Sequence, residues 1–194
     1  MNSPTTRKEI MNRLLKGQVV KTVLAMIQEG SPITMDKVAA RCGVCKGTLY
    51  NYFKNKTDLL NDVHEAVIIP IKEGIRTIFE KNIPPMEKIC CFVDNVFNFQ
   101  KEYPLYFKFI ETQRSAADEV TERMDIVILP LVDICREGMR SGQFTDVDPY
   151  VMAAMIYGTV VGPLESLAYR KEPLEDLEPL KQEIVRFLDK SILK

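Results

Sequence analysis

The sequence predicts an all-helical protein, and three features lead to this prediction. Apolar residues recur at helical spacing along most of the chain, residues that start or end helices interrupt them at short intervals, and no stretch alternates as a strand would. Hydrophobic residues make up 46% of the 194 residues and charged residues 27%, so a sizeable core can form. We therefore expect closely packed helices joined by short connections.

The first helical region precedes residue 30. Thr6 and Glu9 have the spacing of a capping box, in which each residue satisfies a backbone N–H of the other. The apolar run behind them continues to Ile27 but is interrupted at Gly17, which leaves open whether it forms one helix or two. Gly30 is placed to end the region, because glycine readily takes the left-handed conformation of a helix C-terminus.

The next segment has the layout of a helix-turn-helix. We expect Thr34 to cap a short helix over 35–41, and a second short helix to run over about 46–53. Ala39 is small enough for the second helix to cross the first closely, and Gly43 can adopt the angles of the sharp turn between them.

Apolar and polar side chains of this segment separate onto two faces. The predicted internal seam consists of Val38, Val44, Leu49 and Phe53. The predicted outer surface of the second helix consists of Lys46, Thr48, Tyr50, Asn51 and Tyr52. Basic, hydroxyl and amide groups on a short helix suit the major groove of DNA, where phosphates position a protein and base edges specify its site.

Charge is distributed unevenly along the chain. Residues 1–60 hold ten Lys/Arg and four Asp/Glu, a charge of +6, whereas residues 61–194 carry −7, giving −1 in total. A basic N-terminal third on an acidic body favours a polyanion-binding head and a body with another task.

The segment from Gly43 to Phe53, with Lys56 after it, resembles the DNA-binding motif of the TetR family, with Cys45 where that family usually has Ser. The resemblance implies a transcriptional regulator, most often a repressor, that binds a palindromic operator as a homodimer. It divides the chain into a DNA-binding domain over 1–57 and an effector-binding and dimerisation domain over 58–194. It assigns DNA contacts to Thr34, Lys46, Gly47, Thr48, Tyr50, Asn51, Tyr52 and Lys56.

Helical signals continue through the rest of the chain. A long helix is predicted from Asp58, with a kink at Pro70, followed by segments over about 84–102, 104–115, 119–140, 148–169 and 174–192. Pro130 is expected to kink the segment over 119–140, because it removes a backbone donor from an apolar helix.

Aromatic residues are enriched over 92–109, which holds seven of the sixteen in the chain. An aromatic wall with tyrosine hydroxyls suits an apolar ligand with a polar end, although core packing explains the pattern nearly as well. Because the body of TetR-like proteins binds small inducers, the resemblance favours a pocket for a small, largely apolar effector. Its predicted lining is Phe92, Phe99, Tyr103, Tyr106, Phe107, Met124 and Ile128.

The last two predicted helices are apolar around much of their circumference. Four such helices from two protomers would make the bundle seen in TetR-like dimers, and a purely internal bundle is the alternative. The predicted interface residues are Met152, Ile156, Val160, Leu164, Ile184, Phe187 and Leu188.

Other functional classes find less support in the sequence. Cys42 and Cys45 have C-x-x-C spacing, but no strands place them in a thioredoxin-like context, and neither a second such pair nor a His pair completes a zinc site. A redox switch at Cys45 stays open, since a helix N-terminus and Lys46 both favour a thiolate. We expect no enzyme, cofactor, metal or membrane partner, and a cytoplasmic location because the N-terminus lacks an apolar export signal. The alternative function is a helical ligand-binding or scaffold protein without specific DNA binding.

Overall fold

The computed structural model describes residues 7–113, 115–170 and 176–194, and Thr6 of the predicted capping box lies outside them. The helices are α1 (Arg7–Gln28), α2 (Met35–Arg41), α3 (Lys46–Tyr50), α4 (Lys56–Glu80), α5 (Pro85–Glu102), α6 (Tyr106–Glu111), α7 (Ala116–Arg123), α8 (Leu129–Arg140), α9 (Pro149–Arg170) and α10 (Glu178–Ile192). A π-helical turn, Met124–Ile128, joins α7 to α8. Within the described ranges there are no strands, only an isolated bridge between Phe144 and Leu193. The predicted all-helical class is confirmed.

The chain forms two compact units. The first comprises the described residues up to Ile69 together with Leu105–Thr112, and the second comprises Pro70–Pro104 and the described residues from 113 onward. The structure therefore divides the chain within α4 and not at residue 57. The physical reason is that the first half of α4 buries Leu59, Val63 and Val67, so that these turns belong to the first core.

Helix α1 is continuous through Gly17, so an interruption at that position is not observed. An exposed glycine costs a helix only about 1 kcal/mol relative to alanine, which a long helix with a buried face tolerates. That face is formed by Val19, Val23 and Met26, all fully buried. Ile10 and Leu14, on the N-terminal half of the same helix, are exposed.

The core of the second unit is built mainly from α5, α8, α9 and α10. Six of the seven residues predicted at the dimer interface are buried in it: Met152, Ile156, Val160, Leu164, Ile184 and Leu188. These apolar stripes pack against their own chain, so in this structure they are core rather than exposed surface. Phe187 alone of the seven is exposed.

Helix α9 is apolar beyond its buried stripe. By length and composition alone, the stretch Pro149–Leu167 would suit a membrane span, and only 28% of it is buried within the chain. Ala153 and Ile156 nonetheless lie fully buried in the core of the second unit. One apolar face of the helix is therefore covered by its own chain, whereas another apolar face is left exposed.

The predicted segment over 119–140 contains the π-helical turn just before Pro130. Proline cannot donate to the carbonyl four residues earlier, and its ring crowds that carbonyl. The helix widens there, and the N–H of Leu129 donates to the carbonyl of Met124, five residues earlier. Such single-turn π-bulges occur frequently at functional sites.

Candidate nucleic-acid interface

Helices α2 and α3 form the predicted helix-turn-helix. The hydroxyl oxygen of Thr34 accepts a hydrogen bond of 3.3 Å from the backbone N–H of Lys37, which caps α2 as predicted. Gly43 has φ +68°, a conformation that an L-residue with a side chain rarely adopts, so glycine is needed at this turn. Val38 and Leu49 are fully buried between the two helices. The scaffold that presents α3 is therefore fixed by local sequence.

The outer face of α3 carries most of the predicted DNA-contacting residues. Lys46, Gly47, Tyr50 and Asn51 are exposed, Thr48 is half-buried, and Lys56 is exposed at the first position of α4. A Cβ added to Gly47 would meet no atom within 4 Å, so the backbone is open to close approach there. This face offers an ammonium group, hydroxyls and an amide to a partner.

Lys46 has two neighbours that the sequence analysis did not identify as its partners. Its Nζ lies 2.7 Å from Oδ1 of Asp36 on α2 and 5.9 Å from the centre of the Tyr50 ring. The hydrogen bond and the charge of Asp36 raise the pKa of Lys46 above its ordinary value. The ammonium group is therefore held at the junction of α2 and α3.

Tyr52 is placed differently from the other predicted contacts. It is half-buried, and its hydroxyl donates a hydrogen bond of 2.9 Å to Oδ1 of Asn12 on α1. Nearby in the same unit, Nε2 of Gln18 donates to the backbone carbonyl of Cys42 at 3.0 Å. Asn12 and Gln18 thus connect α1 to the helix-turn-helix. They were missed because partners 24 to 40 residues apart leave no periodic signal in the sequence.

Cys45 lies at the start of α3. Its Sγ is 2.9 Å from Oγ1 of Thr48, and this hydrogen bond lowers the pKa of the exposed thiol. Cys42 and Cys135 are buried, whereas Cys90 and Cys91 are only half-buried. Over the part of the chain that the structure describes, no group of three or more His, Cys, Asp or Glu residues could hold a metal ion.

The residues predicted to line an effector pocket do not share one environment. Phe92 and Ile128 are buried in the core of the second unit, and Met124 is exposed on the π-helical turn. Phe99 and Tyr103 are half-buried, with ring centres 5.1 Å apart. A hydrogen bond with Glu102 and burial raise the pKa of Tyr103 to about 12, so the phenol keeps its proton at neutral pH.

The remaining two residues of the predicted pocket lining are Tyr106 and Phe107. Tyr106 belongs to the first unit, where it is buried and its hydroxyl lies 2.8 Å from Nδ1 of His64. The side chain of Phe107 lies outside the described part of the structure. His64 is thus a buried partner of Tyr106.

An exposed apolar stripe follows the outer side of α9 and α10. Val151, Met155 and Phe187 are 53%, 65% and 58% exposed. On the same helix α9, Gly158 and Gly162 have no atom within 4 Å of an added Cβ, so another backbone could approach closely. These residues, called the α9–α10 stripe below, take the place of the six buried residues as the surface that a partner could cover.

Comparison with known proteins shows which family of regulators this helix-turn-helix resembles. Residues 26–63 match the family model of bacterial regulatory proteins of the tetR family. The HTH-type transcriptional regulator YhgD of Bacillus subtilis is 25% identical over 166 residues, which cover 83% of this chain and 84% of that protein. The helix-turn-helix of this chain is thus similar to that of tetR-family regulators.

Two further similar proteins extend the comparison over the body of this chain. The fatty acid metabolism regulator protein of Bacillus subtilis is 24% identical over 151 residues, which cover 74% of this chain and 78% of that protein. The crystal structure of FadR from Bacillus subtilis in complex with stearoyl-CoA superposes with a TM-score of 0.74 at 22% identity, covering 90% of this chain and 98% of that one. The chain is a DNA-binding transcriptional regulator with an all-helical body.

Proposed function

We propose that this regulator binds a near-palindromic operator as a homodimer and that a largely apolar effector controls its affinity for that operator. The observation that carries the proposal is the outer face of α3, where Lys46, Tyr50 and Asn51 are exposed. The inner side of the motif is held by the buried apolar seam. A lysine can neutralise a phosphate, and an asparagine can form a paired hydrogen bond with adenine in the major groove. The hydroxyl hydrogen of Thr34 and the ammonium group of Lys56 supply further phosphate contacts.

The homodimer is proposed through the α9–α10 stripe. Exposed Val151, Met155 and Phe187 are costly in water, and the open glycines of α9 let a second copy of the helix approach. A twofold-symmetric dimer carries two copies of α3, which is what a palindromic operator requires.

Sedimentation equilibrium tests the homodimer. Met155→Glu and Phe187→Glu should convert a dimer to a monomer, since each places a charge in an apolar interface. Leu14→Glu is the matched control, because Leu14 is an exposed apolar residue in the other unit. A wild-type protein that stays monomeric at micromolar concentration, or variants that remain dimeric, would contradict the proposal.

The effector is proposed to bind in the second unit. Half-buried Phe99 and Tyr103 give an aromatic surface with a protonated hydroxyl, and the π-helical turn exposes Met124. The name of one relative concerns fatty acid metabolism, and a structural neighbour was crystallised with stearoyl-CoA. A long acyl chain joined to a polar group is therefore the first effector chemistry to test. Helix α4 is continuous across the division between the units and gives a covalent route to the helix-turn-helix.

Calorimetric titration of stearoyl-CoA with and without operator DNA tests this control. A typical allosteric coupling of about 1–3 kcal/mol would change the affinity roughly 5–150-fold, and the operator must alter effector affinity by the same factor as the effector alters operator affinity. Phe99→Ala should weaken binding, whereas Val147→Ala, at an exposed apolar residue, is the control. Equal affinities with and without operator would refute control by this ligand.

A further inference from the structure

The pairing of Asp36 with Lys46 places an acidic group on the surface that faces DNA. Asp36 lies in the first turn of α2 and Lys46 is the first residue of α3, and their side chains are 66% and 57% exposed. Both charges are therefore accessible to a partner, although their atoms are only 2.7 Å apart. The pair spans the two helices of the motif.

A DNA phosphate and the Asp36 carboxylate are alternative partners for the same ammonium group. If Lys46 turns to a phosphate, it loses the carboxylate, and an unpaired negative charge is left beside a polyanion. If Lys46 keeps the carboxylate, its charge is cancelled and it neutralises no phosphate. In both arrangements Asp36 reduces what Lys46 contributes to DNA binding.

Other cations on this unit lie outside the recognition helix α3. Arg41 is paired with Glu29 at 2.6 Å, and Lys16 with Asp62 at 2.5 Å. Lys56 has no ion-pair partner among the described residues. Asp36 is therefore the acidic residue that restrains the cation at the start of the recognition helix itself.

We propose that Asp36 sets the strength and the salt dependence of DNA binding by competing with phosphate for Lys46. The proposal rests on the DNA-binding function argued above. It predicts that this regulator binds DNA less tightly, and with a weaker dependence on salt, than its basic N-terminal third would allow. Such a restraint lowers the background of sequence-independent binding, which is almost entirely electrostatic.

The test is a fluorescence anisotropy titration of Asp36→Asn on operator DNA and on unrelated DNA at several salt concentrations. Exposed ion pairs of this kind have modest energies, so the affinity should rise about 1.4- to 5-fold per protomer. The plot of log affinity against log salt should steepen by up to about 0.9 per protomer, because one more phosphate is neutralised. Glu73→Gln is the control, since it removes one negative charge from a similarly exposed pair, with Arg76, in the second unit.

A double-mutant cycle separates competition for Lys46 from a general effect of charge. In a Lys46→Met background, Asp36→Asn should give a clearly smaller gain in affinity and no steepening of the salt slope, because no additional lysine is released to a phosphate. An equal gain with and without Lys46, an equal gain from Glu73→Gln, or no gain at all from Asp36→Asn would each overturn the proposal. Circular dichroism melts confirm that the variants are folded. A folded wild-type protein that binds no DNA would instead refute the function on which the proposal rests.

Discussion

The variant Tyr52→Phe tests whether the hydroxyl of Tyr52 positions the helix-turn-helix or contacts DNA. The sequence predicted a DNA contact for Tyr52, whereas the structure has its hydroxyl donating to Asn12 at 2.9 Å. Phenylalanine keeps the ring and removes only that hydrogen bond. A typical net hydrogen-bond contribution is about 0.5–1.5 kcal/mol, and because both residues are half-buried and water can replace the lost partner, we expect the lower half of that range. For a chain of this size, that corresponds to a lower melting temperature by about 1–4 °C.

Thermal melts and DNA titrations of Tyr52→Phe, Asn12→Ala and the double variant provide the measurement. The two single changes should destabilise by similar amounts, and the double variant should cost less than their sum, because both remove the same bond. Operator affinity should fall only a few-fold, with an unchanged salt slope, since no charge is lost. The reasoning is refuted if both single variants are as stable as the wild type while Tyr52→Phe alone binds DNA much more weakly. The hydroxyl would then act on DNA and not on Asn12.

Two further predictions concern packing and thiol chemistry. Gly138→Ala should destabilise the protein by about 1–3 kcal/mol in urea unfolding, because its Cβ would lie 2.2 Å from the buried Phe144 ring. The control Gly17→Ala, whose Cβ would meet nothing within 4 Å, should be neutral or stabilising. A Gly17→Ala variant that is less stable than Gly138→Ala would contradict this prediction. Iodoacetamide at neutral pH should label Cys45 first, since its exposed thiol has a lowered pKa, and Cys135 only on unfolding, since burial raises the pKa of that thiol to about 12. Peptide mass spectrometry reads the order, and earlier labelling of Cys135 would oppose it.

The helix-turn-helix was predictable because its signals are local. A cap at Thr34, a left-handed turn at Gly43 and an apolar seam at Val38 and Leu49 all lie within sixteen residues of sequence and do not depend on distant contacts. The same locality explains why the exposed face of α3 could be assigned from the sequence. Predicted elements in this region agree with the structure to within a few residues.

The partners of that face could not be predicted in the same way. The ion pair of Lys46 with Asp36 depends on how α2 crosses α3, and the bond of Tyr52 to Asn12 depends on how α1 packs against the motif. Side-chain partners across a helix crossing leave no spacing in the sequence. The placement of Tyr106 could not be predicted for a similar reason, since only the tertiary fold shows that its segment joins the first unit.

The proposed dimer surface shows a different limit of sequence reasoning. Helix α9 is apolar on most sides, so its periodicity cannot distinguish the stripe that its own core covers from the stripe left for a partner. Predicted interface residues such as Ile156 and Val160 are buried in the core of the second unit. Burial in the folded chain leaves Val151, Met155 and Phe187 as the stripe that remains uncovered.

Selection of bound sequences from random DNA, followed by footprinting of the selected site, tests the central claim most directly. A homodimeric helix-turn-helix regulator should select a near-palindrome whose half-sites lie about 10 base pairs apart, or a multiple of that. It should bind that site at least about 10³-fold more tightly than unrelated DNA at physiological salt. Asn51→Ala should change the preferred bases, and Lys56→Ala should weaken binding to all sequences and flatten the salt dependence. Binding that shows no preferred sequence and leaves an unpaired footprint would contradict the account.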